Sequence, residues 1–367
     1  MAMKWLAFHI TDRCQLNCDH CLRDPDLNTA QLDAKFIGDV VRQGQENLGI
    51  SHVSLTGGEP TIHPEFYEII DAINDLGCDW HMVSNGWNFP KIVQRLRSKP
   101  ARWDTLTCLN ISLDGATEET HDSIRGEGSY RHVMQAATMC QALGKPFLFQ
   151  MVVNQRNVHE IDDLAMLASQ MGAIRVYYAF AQPTGTFLDR NLYLSLPEWN
   201  LIRDKVVQLN DSFKMEVFGT EGFPSPNIFE PCSVFKHEVL HIDMYGRMNL
   251  CCQHAGIPGK AEMDGCFGDL HEVPLIEAYK LMLDHIAKVM KMRVDAISRK
   301  ELDDEWDSSL CNWCLKCHGK PHWSKDGVGG PKAQRQRWRG AWAPGYKESH
   351  LEAGFRVAPE KDNADPK

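Results

Sequence analysis

An α/β fold built on a parallel sheet is what this sequence predicts, and three observations predict it. Strand-like runs and helix-period segments alternate from residue 5 to about 187. The six strand runs are short, apolar and rich in Val, Ile, Phe and Tyr, as strands buried in a parallel sheet are. Each is followed at its carboxyl end by small or polar residues, where parallel α/β folds place their ligands. Six βα units in succession imply an open doubly wound layer or a partial barrel.

The strands are expected at 5–10, 52–55, 80–83, 106–113, 147–153 and 174–180. The first intervening helix carries Leu32, Phe36, Val40 and Val41 and ends at Gly49. The next carries Phe66, Ile69, Ile70, Ile73 and Leu76, with Pro64 at its start and Gly77 just past its end, an arrangement that suits helix geometry at both termini. A further helix carries Ile161, Leu164, Leu167 and Met171 and stops at Gly172. Residues 188–230 form a bridge, in which Ser195 and Glu198 make a capping box around Pro197. That box opens a helix with Trp199, Ile202, Val206 and Leu209 on one face, and a strand at 215–218 follows.

Composition narrows the class. The 367 residues allow two or three domains, and 43% hydrophobic with 24% charged is ordinary for a soluble globular chain. A net charge of −10 argues against nucleic acid as a bulk partner. No apolar run approaches the ~18–20 residues that cross a bilayer, and 1–5 carry no signal-peptide pattern, so the cytoplasm is the expected location. Thirteen cysteines in a reducing compartment point to metal ligation rather than disulfides. Cys78, Cys108 and Cys140 stand alone in apolar sequence and read as core residues.

The first strand-end loop carries Cys14, Cys18 and Cys21, spaced x3 then x2. A [4Fe–4S] cube held by three thiolates keeps one iron open for a non-protein ligand. A zinc knuckle completed by His20 is the alternative. The later strand ends carry Thr56-Gly57-Gly58-Glu59-Pro60, Ser84-Asn85-Gly86, Asp114-Gly115, Asn154 and Gln182-Pro183-Thr184-Gly185. Together they describe one continuous site. Turn chemistry explains any one of them, but not Glu59 between Gly58 and Pro60.

The cysteine loop followed by Gly57-Gly58-Glu59-Pro60 resembles the radical S-adenosylmethionine (SAM) enzymes. The segment Ser112-Leu113-Asp114-Gly115, with His121-Asp122-Ser123-Ile124-Arg125-Gly126, resembles the SPASM/twitch branch of that superfamily. The resemblance covers 5 to about 187 and implies a partial (βα)6 TIM-like barrel with an iron–sulfur cluster in place of zinc. It implies that Cys14, Cys18 and Cys21 bind three irons while SAM chelates the fourth. Gly57 and Gly58 would open the backbone to the methionyl part of SAM, and Glu59 would accept from its ammonium. Arg125 would pair with its carboxylate, Ser112 and Asn154 would meet the ribose, and His20 would flank the adenine. Pro60, Ser84, Asn85 and Asp114 complete the expected SAM site. Arg125, Ser112 and Asn154 fit helix-cap or surface duty equally well.

The remaining cysteines gather in the C-terminal half. Alternation on both sides of Tyr245-Gly246-Arg247 predicts a hairpin that brings Cys232 and Cys251 together, and Cys311-x2-Cys314-x2-Cys317 follows much later. Two plus two makes a four-thiolate site. A connector, Phe267-Gly268-Asp269-Leu270, leads to a helix with Leu275, Tyr279, Met282, Ile286 and Met290. The arrangement resembles the SPASM/twitch extension with its auxiliary [4Fe–4S] clusters. The cysteine count is short of the full pattern, so one auxiliary cluster is expected on Cys232, Cys251, Cys311 and Cys314. Cys317 can replace one of these, Cys252 or Cys266 can serve a second centre, and zinc remains the alternative metal. Cys252 stands where formylglycine-forming relatives have an aspartate base, so that chemistry is not expected, and a second buried thiol is its preferred role.

The predicted organisation is a radical SAM barrel with its bridging helix at 1–213, an auxiliary-cluster domain at 214–323 and a disordered tail at 324–367, where Arg335-Gln336-Arg337-Trp338-Arg339 and Trp342 offer a partner contact. The resemblance implies C–H hydrogen abstraction by a 5′-deoxyadenosyl radical. Oxidation or crosslinking of a ribosomally made peptide ranks first among its uses. A small-molecule dehydrogenase or biosynthetic enzyme (aminocyclitol, cofactor or haem precursor) is the runner-up. A non-catalytic iron–sulfur or zinc protein is the rival from another class. The expected partners are a flavodoxin or ferredoxin electron donor and, because the first cluster cysteine is residue 14, a separate leader-peptide-binding protein unless the auxiliary domain grips the peptide.

Overall fold

The computed structural model describes residues 5–21, 30–180, 190–222, 230–254, 265–302 and 309–318. The expected tail and the loop at 182–185 lie outside these residues. The chain alternates β1 (Trp5–Thr11), α1 (Ala34–Leu48), β2 (His52–Gly57), α2 (Phe66–Asp75), β3 (Asp79–Ser84), α3 (Phe89–Arg97) and α4 (Pro100–Asp104). It continues through β4 (Leu106–Ser112), α5 (Glu118–Arg125), α6 (Ser129–Ala142), β5 (Phe147–Val153), α7 (Ile161–Gln170) and β6 (Arg175–Phe180). These six strands lie side by side in chain order, and every neighbouring pair is parallel. Each expected strand is present, and the sheet is an open partial barrel.

Local signals act as the sequence suggests. Asp33 caps α1 by accepting from the Phe36 N–H at 2.7 Å, and Gly49 ends the helix in the left-handed region at φ +68°. The bridge supplies α8 (Leu196–Ser212), where the Glu198 carboxylate accepts from the Ser195 N–H at 2.7 Å and its hydroxyl at 2.6 Å. Then come β7 (Glu216–Gly219), β8 (Val239–Ile242), β9 (Arg247–Asn249), β10 (Cys266–Asp269), α9 (Leu275–Ser298) and α10 (Leu310–Cys317).

The later strands extend the same sheet. β7 pairs parallel with β6 at one edge and β8 parallel with β1 at the other, while β9 and β10 continue antiparallel beyond β8. The turn at Gly246, φ +79°, makes β8 and β9 the expected hairpin. The division expected at 213/214 therefore falls inside one hydrogen-bonded sheet.

The strands are two-faced, which corrects the expectation of strands buried on both sides. Leu6, Phe8, Val53, Leu55, Trp80, Met82, Leu109, Ile111, Phe149, Met151, Val176 and Tyr178 are all fully buried, and they share one core with the helices. The residues between them point into the barrel. His9, Ser54, His81, Cys108, Asn110, Gln150, Tyr177 and His241 face that lumen, set there by the period of two. Cys78 and Cys140 are core residues as expected, but Cys108 is half-buried on the lumen face.

The lumen is polar yet carries little charge. His52 Nε2 and His81 Nδ1 lie 2.5 Å apart, and Asn110 Nδ2 donates to Gln150 Oε1 at 2.9 Å. Burial, then His52, pushes His81 down to about 3, and burial, then His9, pushes His241 to about 3. These imidazoles are neutral at pH 7.

A histidine that titrates at about 3 when native and 6.5 when unfolded takes its proton first in the unfolded chain. Its stabilising contribution is complete above pH 6.5 and is lost as the pH falls toward 3. Each such histidine is expected to remove about 2 kcal/mol between pH 7 and 5. His81→Gln should recover about that much of the acid loss in urea denaturation at the two pH values; an unchanged pH slope would refute the assignment.

Candidate functional site

β1 and β2 end side by side, and the chain leaving β2 shapes the loop leaving β1. The Gly58 N–H donates to the Thr11 carbonyl at 2.7 Å, and the Glu59 N–H to the Arg13 carbonyl at 2.8 Å. A Cβ on Gly57 would lie 2.3 Å from the Thr11 carbonyl oxygen, and one on Gly58 2.1 Å from that of Arg13. Gly57 also sits at φ +137°, where side chains are disfavoured. These glycines let β2 approach the cysteine loop. This approach to the protein's own backbone requires both glycines.

Glu59 is likewise turned inward. Its Oε1 accepts from the Thr61 N–H (3.2 Å), the Thr61 hydroxyl (2.6 Å) and the Ser84 hydroxyl (2.9 Å), and Oε2 accepts from the Asn85 N–H at 2.8 Å. Burial raises its pKa against these donors, and the residue has no exposed surface. With four donors supplied by the protein, the carboxylate ties the end of β2 to that of β3. Pro60, also buried, opens the short turn that aims the side chain. Asn85 returns the connection to the loop: its Nδ2 lies 3.7 Å from Cys14 Sγ, and its Oδ1 accepts from Gln15 Nε2 at 3.1 Å.

A second group forms at the end of β4. Asp114 is fully buried; its Oδ2 lies 2.5 Å from His20 Nε2 and 2.5 Å from Arg125 Nε, while Oδ1 accepts from the Val152 N–H at 2.8 Å. Burial pushes the Asp114 carboxyl up, but Arg125 and then His20 outweigh it and hold the group well below the usual carboxylate range. Arg125 Nη1 reaches 4.0 Å from Cys18 Sγ, which brings a fixed positive charge to the cysteine loop. His121 accepts from the Asp114 N–H at 3.0 Å and is pushed down to about 4 by burial and then by Arg125, so it is neutral. Asp114 and His20 thus meet as a pair beneath the loop, and Asp114 has no surface for a cofactor.

Asn154 turns back on its own chain. It is fully buried, donating to the Val152 carbonyl at 3.0 Å and accepting from the Arg156 N–H at 2.9 Å, so it shapes its own turn. Ser112 ends β4 at the carboxyl rim, on the lumen side of the strand.

Cys14, Cys18 and Cys21 are half-buried on the loop these contacts build. Thiolates on one tetrahedral zinc ion stand about 3.8 Å apart. Among the described residues, the one group of three Cys, His or acidic ligand atoms within 4.8 Å of one another is His254, Cys314 and His318. Cys18 stands within electrostatic reach of both Cys21 and Cys14. Burial raises the Cys18 thiol to about 11 against the pull of Arg125, so loading a metal must displace its proton.

The C-terminal thiols also converge. A Cβ on Gly222 would lie 2.8 Å from Cys311 Sγ and 3.1 Å from Cys232 Cβ, which places those two cysteines against each other. The Cys252 thiol, then burial, and then the charges of Cys314 and Cys311 raise Cys251, and burial followed by Cys232 and Cys252 raises Cys311. Cys232, Cys251, Cys252, Cys311 and Cys314 are therefore neighbours. Cys252 is exposed, not the buried thiol expected, while Cys317 is buried in the apolar core. Cys266 opens β10 opposite Asn249. Sequence reasoning missed Gln15, whose contact with Asn85 is tertiary, Thr61, which bonds Glu59 two residues away, Asn157, which donates to the Asp114 carbonyl at 3.0 Å, and also His254 and His318. The Cys314-x3-His318 spacing, one helical turn, was the available signal for the last.

A family model for the Radical SAM superfamily matches residues 8–168. Residues 8–168 form a radical SAM domain. Mycofactocin maturase MftC of Mycobacterium tuberculosis is 31% identical over 222 residues, 57% of this chain and 54% of that protein. The AdoMet-dependent heme synthase of Methanosarcina barkeri is 32% identical over 192 residues, 50% and 52% of the two chains. The chain spans about half the length of these curated relatives. Streptococcus suis SuiB, solved with its precursor peptide SuiA, superposes with a TM-score of 0.59 at 17% identity, covering 76% of this chain and 65% of that one. At that identity the likeness is one of fold.

Within the radical SAM domain, Glu59→Gln sets an amide NH2 against a donor. It is expected to cost about 1–3 kcal/mol of stability, read from the urea midpoint, and to lower the iron retained on the loop. An unchanged midpoint would show that the carboxylate does not tie the two strand ends together.

Proposed function

We propose that the chain is a radical SAM oxidoreductase that abstracts hydrogen from a C–H bond of a ribosomally made peptide. The observation that carries this reading is the three-cysteine loop, fastened by the Gly57-Gly58-Glu59 backbone at the carboxyl rim of a polar lumen. When bound, the cluster and SAM supply reductive cleavage to methionine and a 5′-deoxyadenosyl radical. The chain's own residues do the positioning. Cys14, Cys18 and Cys21 hold three irons, Arg125 places positive charge beside Cys18, and Ser112 stands at the rim for the ribose. Neutral imidazoles and amides in the lumen offer hydrogen bonds to a substrate without adding a charge.

Peptide modification is supported by the fold shared with SuiB, whose structure holds a precursor peptide. A small-molecule substrate is the second reading, favoured by similarity to the heme synthase. An auxiliary [4Fe–4S] cluster fits the thiol gathering of Cys232, Cys251 and Cys311 with a fourth from Cys314 or Cys252. The residues after 213 would then serve this second centre, and a flavodoxin or ferredoxin would deliver electrons. A separate leader-binding protein and a cytoplasmic location belong to the same reading; among the described residues no helix is long and apolar enough to cross a membrane.

Anaerobically reconstituted chain is expected to bind about eight irons, as two four-iron clusters require, and to release 5′-deoxyadenosine on reduction with SAM present. Replacing Cys14, Cys18 and Cys21 with Ala should abolish that product and remove about four irons. Full iron loading without 5′-deoxyadenosine would favour a non-catalytic protein, and product from the triple variant would reject the site.

A further inference from the structure

We propose that Arg125 and the side-chain amide of Asn85 are positioning residues that set the reduction potential of the cluster on Cys14, Cys18 and Cys21. The proposal rests on the radical SAM reading and assigns a part to the N–H groups aimed at the loop sulfurs. Cys14 Sγ accepts from the Leu16 N–H at 3.4 Å and from Asn85 Nδ2 at 3.7 Å. Cys18 Sγ lies 4.0 Å from Arg125 Nη1. A neutral thiol is a weak acceptor, so donors gathered on two sulfurs suit thiolates bound to iron.

Hydrogen bonds to the sulfurs and net charge are among the factors that set an iron–sulfur potential. Reduction adds an electron, so the reduced cluster is the more negative state. A donor or cation beside a ligating sulfur stabilises that state more than the oxidised one and raises the potential.

Neither side chain is free to turn away. Asn85 Oδ1 accepts from the Trp87 N–H at 3.0 Å and from Gln15 Nε2 at 3.1 Å. A backbone N–H can only donate, which fixes the amide's orientation and leaves Nδ2 for Cys14. Arg125 Nε stands 2.5 Å from Asp114 Oδ2, while Oδ1 of the same carboxylate accepts from the Val152 N–H at 2.8 Å. Arg125 and Asp114 are 8% and 0% exposed, so dissolved ions screen the guanidinium little. Its charge is also permanent. The two contacts reach different thiols from different places, the end of β3 and the end of α5.

The test is an EPR-monitored redox titration of the anaerobically reconstituted full chain without SAM. The signal followed is the one that changes when SAM is afterwards added, which marks the cluster with the open iron. Arg125→Gln is expected to lower the ratio of reduced to oxidised cluster about tenfold at a fixed potential, a fall of about 59 mV in the midpoint. Arg125→Lys keeps the charge and should stay closer to wild type. Asn85→Asp keeps an oxygen for the Trp87 N–H but turns a carboxylate oxygen toward Cys14, so its midpoint should fall as well. Arg125→Gln combined with Asp114→Asn removes the buried pair together, and Asn85→Asp leaves that pair intact, so one variant without iron does not end the test. Midpoints unmoved in the iron-bearing variants would overturn the proposal, even where SAM binding weakens. A wild type with no SAM-responsive cluster would reject the radical SAM reading and this proposal with it; a responsive cluster with unmoved midpoints rejects this proposal alone.

Discussion

The site depends on one backbone contact, the approach of Gly57 and Gly58 to the chain leaving β1. Two hydrogen bonds, to the Thr11 and Arg13 carbonyls, hold the entrance of the cysteine loop at a distance where a Cβ cannot fit. The remaining contacts continue from this one. Glu59 passes it to Ser84 and Asn85 at the end of β3, and Asn85 brings it back to Cys14 and Gln15. Three strand ends and the loop form a closed circuit, so the first thiol is positioned by the sheet rather than by the loop's own conformation. A loop of small and polar residues has little packing of its own to fix it, and a sheet is the stiffest frame available.

The other side of the loop is held electrostatically. Asp114 is a buried carboxylate, costly to charge unless its partners compensate. Arg125 and His20 do so directly, and the Val152 N–H adds a bond from β5. Removing Arg125 or Asp114 leaves the other as an uncompensated buried charge, so these two are retained or lost together. Its by-product is functional: Arg125, fixed by Asp114, sets its guanidinium beside Cys18. Thiolates that carry negative charge onto a cluster gain from a cation that cannot move away.

Strand positions, helix ends and the clustering of chemistry at the strand ends were all legible in the sequence, because period, capping and glycine placement are local properties. Side-chain partners were not. Glu59 stands out between Gly58 and Pro60 and caps its own turn through Thr61, yet its contacts to Ser84 and Asn85 depend on β3 lying next to β2, which no local pattern states. Asn154 shows the same limit: an Asn after a strand satisfies its own turn as readily as it faces a ligand. The strands read as uniformly apolar because Ala7, Val83, Val152 and Ala179 interrupt the polar lumen face. That masked the alternation which separates core from cavity.

The two cysteine regions differ in backbone form. On the N-terminal loop the x3 and x2 spacing lies outside any helix, so no winding stacks these thiols on a common face. On α10 the same short spacings are wound at 3.6 residues per turn, and residues four apart are stacked on one face. Cys314 and His318 therefore meet at 3.8 Å, while Cys311, three residues earlier, is turned toward Cys232 and Gly222. One helix thus presents thiols to two environments: a pocket shared with imidazoles and a gathering of other cysteines. Cysteine count alone cannot separate these, since every thiol in 311–317 fits a four-cysteine site equally well. The winding of the helix, together with the histidines it brings alongside, distinguishes one ligand from the next.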